Sequence, residues 1–151
     1  MARVFFGLGR RHLVWIVVAI GLLASGAVRA DDHTTSVEAL VEAYRDAYAS
    51  GNMQRAMDLF YWRGVDPRQR THLKQLVRRD LASSVARLDV LDADRGPTEF
   101  LENGVMNRAN LPVVGHLLAE FVGNTGARHY SLHMIGEKDG VYYIALAVPE
   151  A

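Results

Sequence analysis

The sequence predicts an α+β fold, with three N-terminal helices packed on a curved, mainly antiparallel sheet. Three observations carry that prediction. Apolar residues recur at helical spacing between Val37 and Leu81. The period changes to strict alternation over Ser84–Leu91. The last quarter, Leu111 to Val148, falls into three alternating runs separated by two glycine-containing turns.

The first thirty residues stand apart from this pattern. Met1–His12 is basic, and Leu13–Val28 is an unbroken apolar run. Val28-Arg29-Ala30 then supplies a cleavage site before Asp31. Charge, apolar core and small-residue exit describe a secretory signal peptide cleaved after Ala30. An uncleaved anchor would need about 20 apolar residues to span a bilayer, and this run is shorter. Arg10-Arg11 fits the twin-arginine route only loosely, so both export routes stay open. The expectation is a periplasmic or secreted protein with one domain over residues 31–151. Its only membrane contact would be through the signal before cleavage.

Charge and composition exclude several functions. The whole chain carries 17 basic and 17 acidic residues. Residues 1–30 hold four arginines and no acid, so the remainder has 13 basic against 17 acidic residues. A mildly acidic domain without clustered Lys/Arg is not a nucleic-acid binder. The absence of cysteine removes disulfides, thiolate catalysis and Cys-ligated metals. Nothing in the chain calls for a cofactor.

Each element has its own signal. Thr35-Ser36-Val37-Glu38 reads as a capping box, with Val37, Leu40, Val41, Tyr44 and Tyr48 forming one stripe behind it. Ser50-Gly51-Asn52 ends that helix. A second helix runs from Met53 to Tyr61 and closes on Phe60-Tyr61-Trp62. No single helical face buries three consecutive rings, so one of them leans over a cavity or the sheet edge. Asp66-Pro67 opens a third helix, because proline lacks the N–H that would be unpaired there. Leu73, Leu76, Val77 and Leu81 form its buried stripe, and its arginines, interspersed with Asp66 and Asp80, read as a solvated face. After the strand Ser84–Leu91, residues 92–97 form a loop. Thr98–Glu102 reads as a short strand, with a short helix as the alternative, and Asn107–Asn110 reads as irregular.

The terminal hairpins set the faces. At Gly123-Asn124-Thr125-Gly126, a two- or four-residue loop places Val122 opposite Ala127. His116 then faces His133, and Glu120 faces His129. At Glu137-Lys138-Asp139-Gly140, a three-residue loop places Ile144 opposite Met134. This register gives an apolar inner face with Leu117, Phe121, Tyr130, Met134 and Tyr142. It gives an outer face with His116, Glu120, His129, His133 and Ala145. The two polar pairs on that outer face lie four residues apart, roughly 13 Å, too far for one metal ion. The outer face is the candidate homodimer contact.

The order of elements resembles the nuclear-transport-factor-2-like superfamily. The likeness lies in a long first helix (Thr35–Ala49), a short second helix introduced by Ser50-Gly51-Asn52 and ending in Phe60-Tyr61-Trp62, a third helix, and a meander ending in Gly136-Glu137-Lys138-Asp139-Gly140-Val141-Tyr142-Tyr143. The resemblance implies a cone-shaped, cystatin-like roll, a pocket between helices and sheet, and homodimerisation. It carries over no catalytic residue, since the expected register puts no ionisable sheet residue inside the cone. The candidate pocket is therefore aromatic: Tyr44, Tyr48, Phe60, Trp62, Phe121, Tyr130, Met134 and Tyr142. It would take a small hydrophobic or aromatic ligand, with Trp62 and Tyr44 in contact. The expected role is an exported ligand-binding or interaction module. The alternative is an isomerase, dehydratase or cyclase using the same pocket.

Overall fold

The computed structural model describes residues 34–102 and 104–149, so the expected export signal and cleavage site lie outside the described residues. Among the described residues there are three α-helices: α1 (Val37–Ala49), α2 (Met53–Asp58) and α3 (Pro67–Leu81). The strands are β1 (Ser84–Asp92), β2 (Glu99–Glu102), β3 (Val105–Ala109), β4 (Val113–Val122), β5 (Arg128–Lys138), β6 (Val141–Ala145) and β7 (Ala147–Pro149). One antiparallel sheet has the order β1-β4-β5-β6, and a second has the order β2-β3-β7. The helices pack on the first sheet around Leu40, Tyr44, Phe60, Val77, Leu117, Phe121 and Ile144. The α+β class read from the sequence is the class observed.

The helix starts follow from their caps. Ser36, one residue after the expected cap, accepts the Ala39 N–H at 3.1 Å. The Asp66 carboxylate accepts the N–H groups of Arg68 and Gln69 at 2.7 and 2.9 Å, with Pro67 at the first helical position.

Helix α2 stops at Asp58 rather than Tyr61. Beyond Leu59 the chain runs alongside β6. The Ile144 N–H donates to Leu59 C=O, and the Tyr61 N–H donates to Ile144 C=O. Alternation along this strand-like segment sends Phe60 and Trp62 into the main core, and Tyr61 into a second core with Tyr143. The three consecutive rings are thus resolved by an extended backbone. The stretch read as irregular at Asn107–Asn110 is largely strand β3, which pairs with both β2 and β7.

Both hairpin registers differ from expectation by one residue, because the two loop types are interchanged. Between β4 and β5, the Gly126 N–H donates to Gly123 C=O and the Gly123 N–H to Ala127 C=O, each at 2.8 Å. Gly126 sits at φ 79°, so this is the three-residue loop closed by a left-handed glycine. Val122 therefore pairs with Arg128, Phe121 with His129 and Leu117 with His133. Between β5 and β6, Asp139 and Gly140 both have positive φ, 53° and 79°. That is a two-residue type I′ turn, and Ile144 faces Ile135.

A one-residue slip turns a whole strand over. Strand β5 is inverted relative to β4, and β6 relative to β5, so the two slips cancel in β6. Tyr142 and Ile144 still face the helices. Only β5 is reversed. His129, Ser131 and His133 point toward the helices. Tyr130 and Leu132 point outward, 59% and 47% exposed.

The expected outer face of His116, Glu120, His129, His133 and Ala145 is consequently not a surface. His129 and His133 lie inside. His116 is fully buried under the turn Ala93–Arg95 and Gly96. A Cβ on Gly96 would lie 2.6 Å from the His116 imidazole, which is why this position carries no side chain. Ala145 is buried with Leu111 and Met134 in the second core. Glu120 bonds Arg128 Nη1 at 2.7 Å instead of pairing with His129.

Candidate functional site

The inverted β5 brings polar groups onto the helical side of the sheet. Asp80, in the last turn of α3, is 3% exposed and is the hub of this cluster. Its Oδ1 accepts from His129 Nε2 at 2.9 Å and from Arg79 Nε and Nη2 at 3.0 and 2.9 Å. Its Oδ2 accepts the Ser131 hydroxyl at 3.0 Å. His129 also stacks on Phe121, with ring centroids 5.0 Å apart. Three sets of donors on one buried carboxylate keep it satisfied away from water. The serine bonds the carboxylate and not an imidazole, so this is not a nucleophilic triad.

His133 belongs to a second pair. Its Nε2 lies 3.0 Å from the Tyr44 hydroxyl. Burial pushes the imidazole down to about 4, opposed in part by the charge of Asp80. Burial raises the Tyr44 phenol far above its usual range, with Tyr48 and Asp80 adding to the rise. At pH 7 both are neutral. The two groups share one hydrogen bond, through Nε2 of the imidazole. No protein group among the described residues is bonded to its Nδ1.

Asp80, Ser131 and His133 line one cleft of about 500 Å³. The cleft opens where β5 and the continuous β6–β7 segment part company. Pairing ends at Met134 and Ala145, after which Ala147 pairs with Ala109 of β3 instead. Helix α3 closes one side with Leu73, Leu76 and Val77, and β2 contributes Phe100 and Leu101. The result is an apolar slot with a hydrogen-bonding end.

Of the eight residues expected to form an aromatic pocket, Phe60 and Met134 line this cleft. Tyr44, Tyr48 and Phe121 are buried in the main core, and Tyr142 packs against it. Tyr44 and Tyr48 stack on each other at 4.2 Å. Trp62 lies outside the cleft, bonding Met57 C=O through its indole N–H at 3.0 Å beneath the Arg70 guanidinium. Tyr130 is on the opposite face of the sheet. The residue missed by sequence reasoning is Asp80, and its signal was present. It follows Leu73, Leu76 and Val77 at spacings of 3, 1 and 3, on the apolar stripe rather than off it. Among the described residues, no group of three or more ligand side chains is placed to hold a metal ion.

No protein-family model and no curated protein sequence matches the chain. A solved structure, the crystal structure of an NTF2-like transpeptidase from Campylobacter jejuni, aligns with a TM-score of 0.39 and 9% identity. The alignment covers 71% of this chain and 94% of that one. At that distance the likeness says nothing about what either chain binds.

Proposed function

We propose that this is an exported small-ligand-binding protein whose site is the cleft between α3, β5 and the β6–β7 segment. The observation that supports this reading is the cleft itself. It encloses about 500 Å³, with apolar walls and with Asp80, Ser131 and His133 gathered at one end. Small-molecule sites have this size and makeup, with a few placed polar groups setting orientation. The ligand is hydrophobic or aromatic over most of its surface and carries a hydrogen-bonding group at the Asp80–His133 end. Export rests on the character of residues 1–30. Three helices followed by antiparallel strands support membership of the nuclear-transport-factor-2-like superfamily.

Titration of the purified protein with the apolar dye 8-anilinonaphthalene-1-sulfonate tests the site. Saturable binding is expected, and it should be lost in Leu76→Trp, which fills the cleft. Equal binding by both proteins would refute this location. Sequencing the N-terminus of exported protein should read from Asp31.

A second reading is proton-transfer chemistry of the isomerase, dehydratase or cyclase kind. It is favoured by a neutral imidazole and a buried carboxylate in one cleft. Deuterium uptake from D2O into a bound ligand, abolished by His133→Gln, would support it, and a ligand recovered unlabelled would count against it. The homodimer is proposed to form through the outer face of the sheet around exposed Tyr130 and Leu132. Sedimentation as a monomer at micromolar concentration would contradict that contact.

A further inference from the structure

The cleft is an unfinished β-ladder. On β6, Ile144 directs its N–H and C=O away from β5, to Leu59 and Tyr61. Tyr142 does the same toward Thr34. Ile144 therefore faces Ile135 as a non-hydrogen-bonded pair, and Met134 with Ala145 is a hydrogen-bonded pair. Continuing the alternation, Leu132 and Ala147 would be the next hydrogen-bonded rung. That rung does not form, because the strands diverge there. The amide nitrogen of Gln69, reaching down from α3, takes the Ala147 C=O. Gln69 Oε1 is left buried without a donor among the described residues. The backbone N–H and C=O of Leu132 have no protein partner among the described residues. Leu132 and Ala147 both line the cleft.

Unpaired backbone groups at a binding site select for a ligand that can pair them. Leu132 presents one donor and one acceptor on the same strand edge. An amino-acid residue flanked by two amides carries the matching donor and acceptor on one edge, and an extended peptide repeats them at every second residue. A hydrocarbon, a sterol or a simple phenol does not. Resting on the reading of this cleft as the binding site, we propose that its ligands are peptidic. Short apolar peptides or N-acyl amino acid amides would dock as a short strand on the open edge of β5. Their backbone would pair with Leu132, and an apolar side chain would sit against Leu73 and Leu76. A polar terminus would reach Ser131 and Nδ1 of His133.

The test displaces the same dye from the full-chain protein with two competitors. One is N-acetyl-Leu-Leu-N-methylamide, and the other is its depsipeptide, in which the central amide N–H is replaced by an ester oxygen. The amide should compete at least tenfold better. Leu132→Pro removes the edge N–H, and proline is tolerated where a strand's N–H faces an open edge. In that variant amide affinity should fall by about tenfold, the cost of one hydrogen bond. If the variant does not fold, the amide–ester comparison on the unmodified protein still decides. Dye bound in the cleft but displaced equally by both competitors, or by neither, overturns the peptide proposal and leaves the cleft standing. Failure of the dye and both competitors to bind removes the cleft reading, and the peptide proposal with it.

Discussion

The two halves of strand β5 are built on opposite principles. From Met134 to Gly136 the strand is paired on both sides, and its neighbours are apolar: Ile135 against Ile144, Met134 against Ala145, and Gly136 under Leu111. From Arg128 to His133 it is paired on one side only, and its inward residues are His129, Ser131 and His133. The first half is held by close packing in both cores, Ile135 in the main one and Met134 in the second. The second half is held by side chains reaching across from the helices, Asp80 and Tyr44. Closing the ladder here would bury polar side chains with fewer partners, whereas parting it lets the helices supply them and leaves a cleft between the strands. Close packing and the proposed binding cleft are thus separated along one strand.

The sharpest way to break the polar half is Asp80→Ala. It leaves His129 and Ser131 without their acceptor in a buried site, and a loss of about 3 kcal/mol is expected. Asp80→Asn, which keeps an acceptor, should lose less. Urea denaturation at pH 7 measures both. A loss under about 1 kcal/mol for Asp80→Ala would mean the polar half is not held by this carboxylate.

Acid should reach the same half through His133. The folded state holds its imidazole at about 4, below the ordinary histidine value of 6.5. Between those values the unfolded chain binds a proton that the folded chain does not. Stability therefore falls as the pH drops from about 6.5 toward 4, by up to about 3 kcal/mol. His133→Gln should flatten this part of the pH profile. Asp80 and His129 remain in both proteins, so the difference between the two profiles isolates His133. An unchanged slope would place the histidine in water rather than in the core.

The two halves also differ in how visible they are from the sequence. Strand β4 reveals its own faces: Leu117, Ala119 and Phe121 alternate with His116, Leu118 and Glu120, so either neighbour register leaves its inner face apolar. Strand β5 does not. His129, Ser131 and His133 alternate with Tyr130, Leu132 and Met134, and hydrophobicity favours the wrong set as the inner face. Only loop geometry decides, and it turns on local details. Asp139-Gly140 is a type I′ pair, whereas Asn124-Thr125-Gly126 places its single left-handed residue last. The partner that reverses β5 is also distant in sequence: Asp80 is 49 residues from His129. Asp80 reads with the solvated face of α3; its spacing matches the buried stripe, but nothing local says what would receive it there. A buried carboxylate is read correctly only once its donors are known.

The packed half should respond to volume rather than to charge. An added Cβ on Gly136 would lie 2.5 Å from Leu111 Cβ and 3.2 Å from Ala145 Cβ. Leu111 Cβ is close to the backbone and cannot swing away, so Gly136→Ala forces the second core apart. A loss of about 1–3 kcal/mol is expected, insensitive to pH between 4 and 7. If this loss instead grew in step with acidification, the two halves would be coupled rather than separate.

The finest distinction lies within the polar half, between two stacked tyrosines. Tyr44 is hydrogen-bonded to His133, whereas the Tyr48 hydroxyl is buried with no hydrogen-bond partner among the described residues. Removing the first hydroxyl strands an imidazole nitrogen on the cleft wall, so Tyr44→Phe should cost about 1 kcal/mol. Removing the second strands nothing and relieves a buried polar atom, so Tyr48→Phe should be neutral or slightly stabilising. The rings stay stacked in both variants, which makes the hydroxyl the only variable. Equal stability losses in the two variants would show that the tyrosines act only as packing, and that His133 is not held from α1.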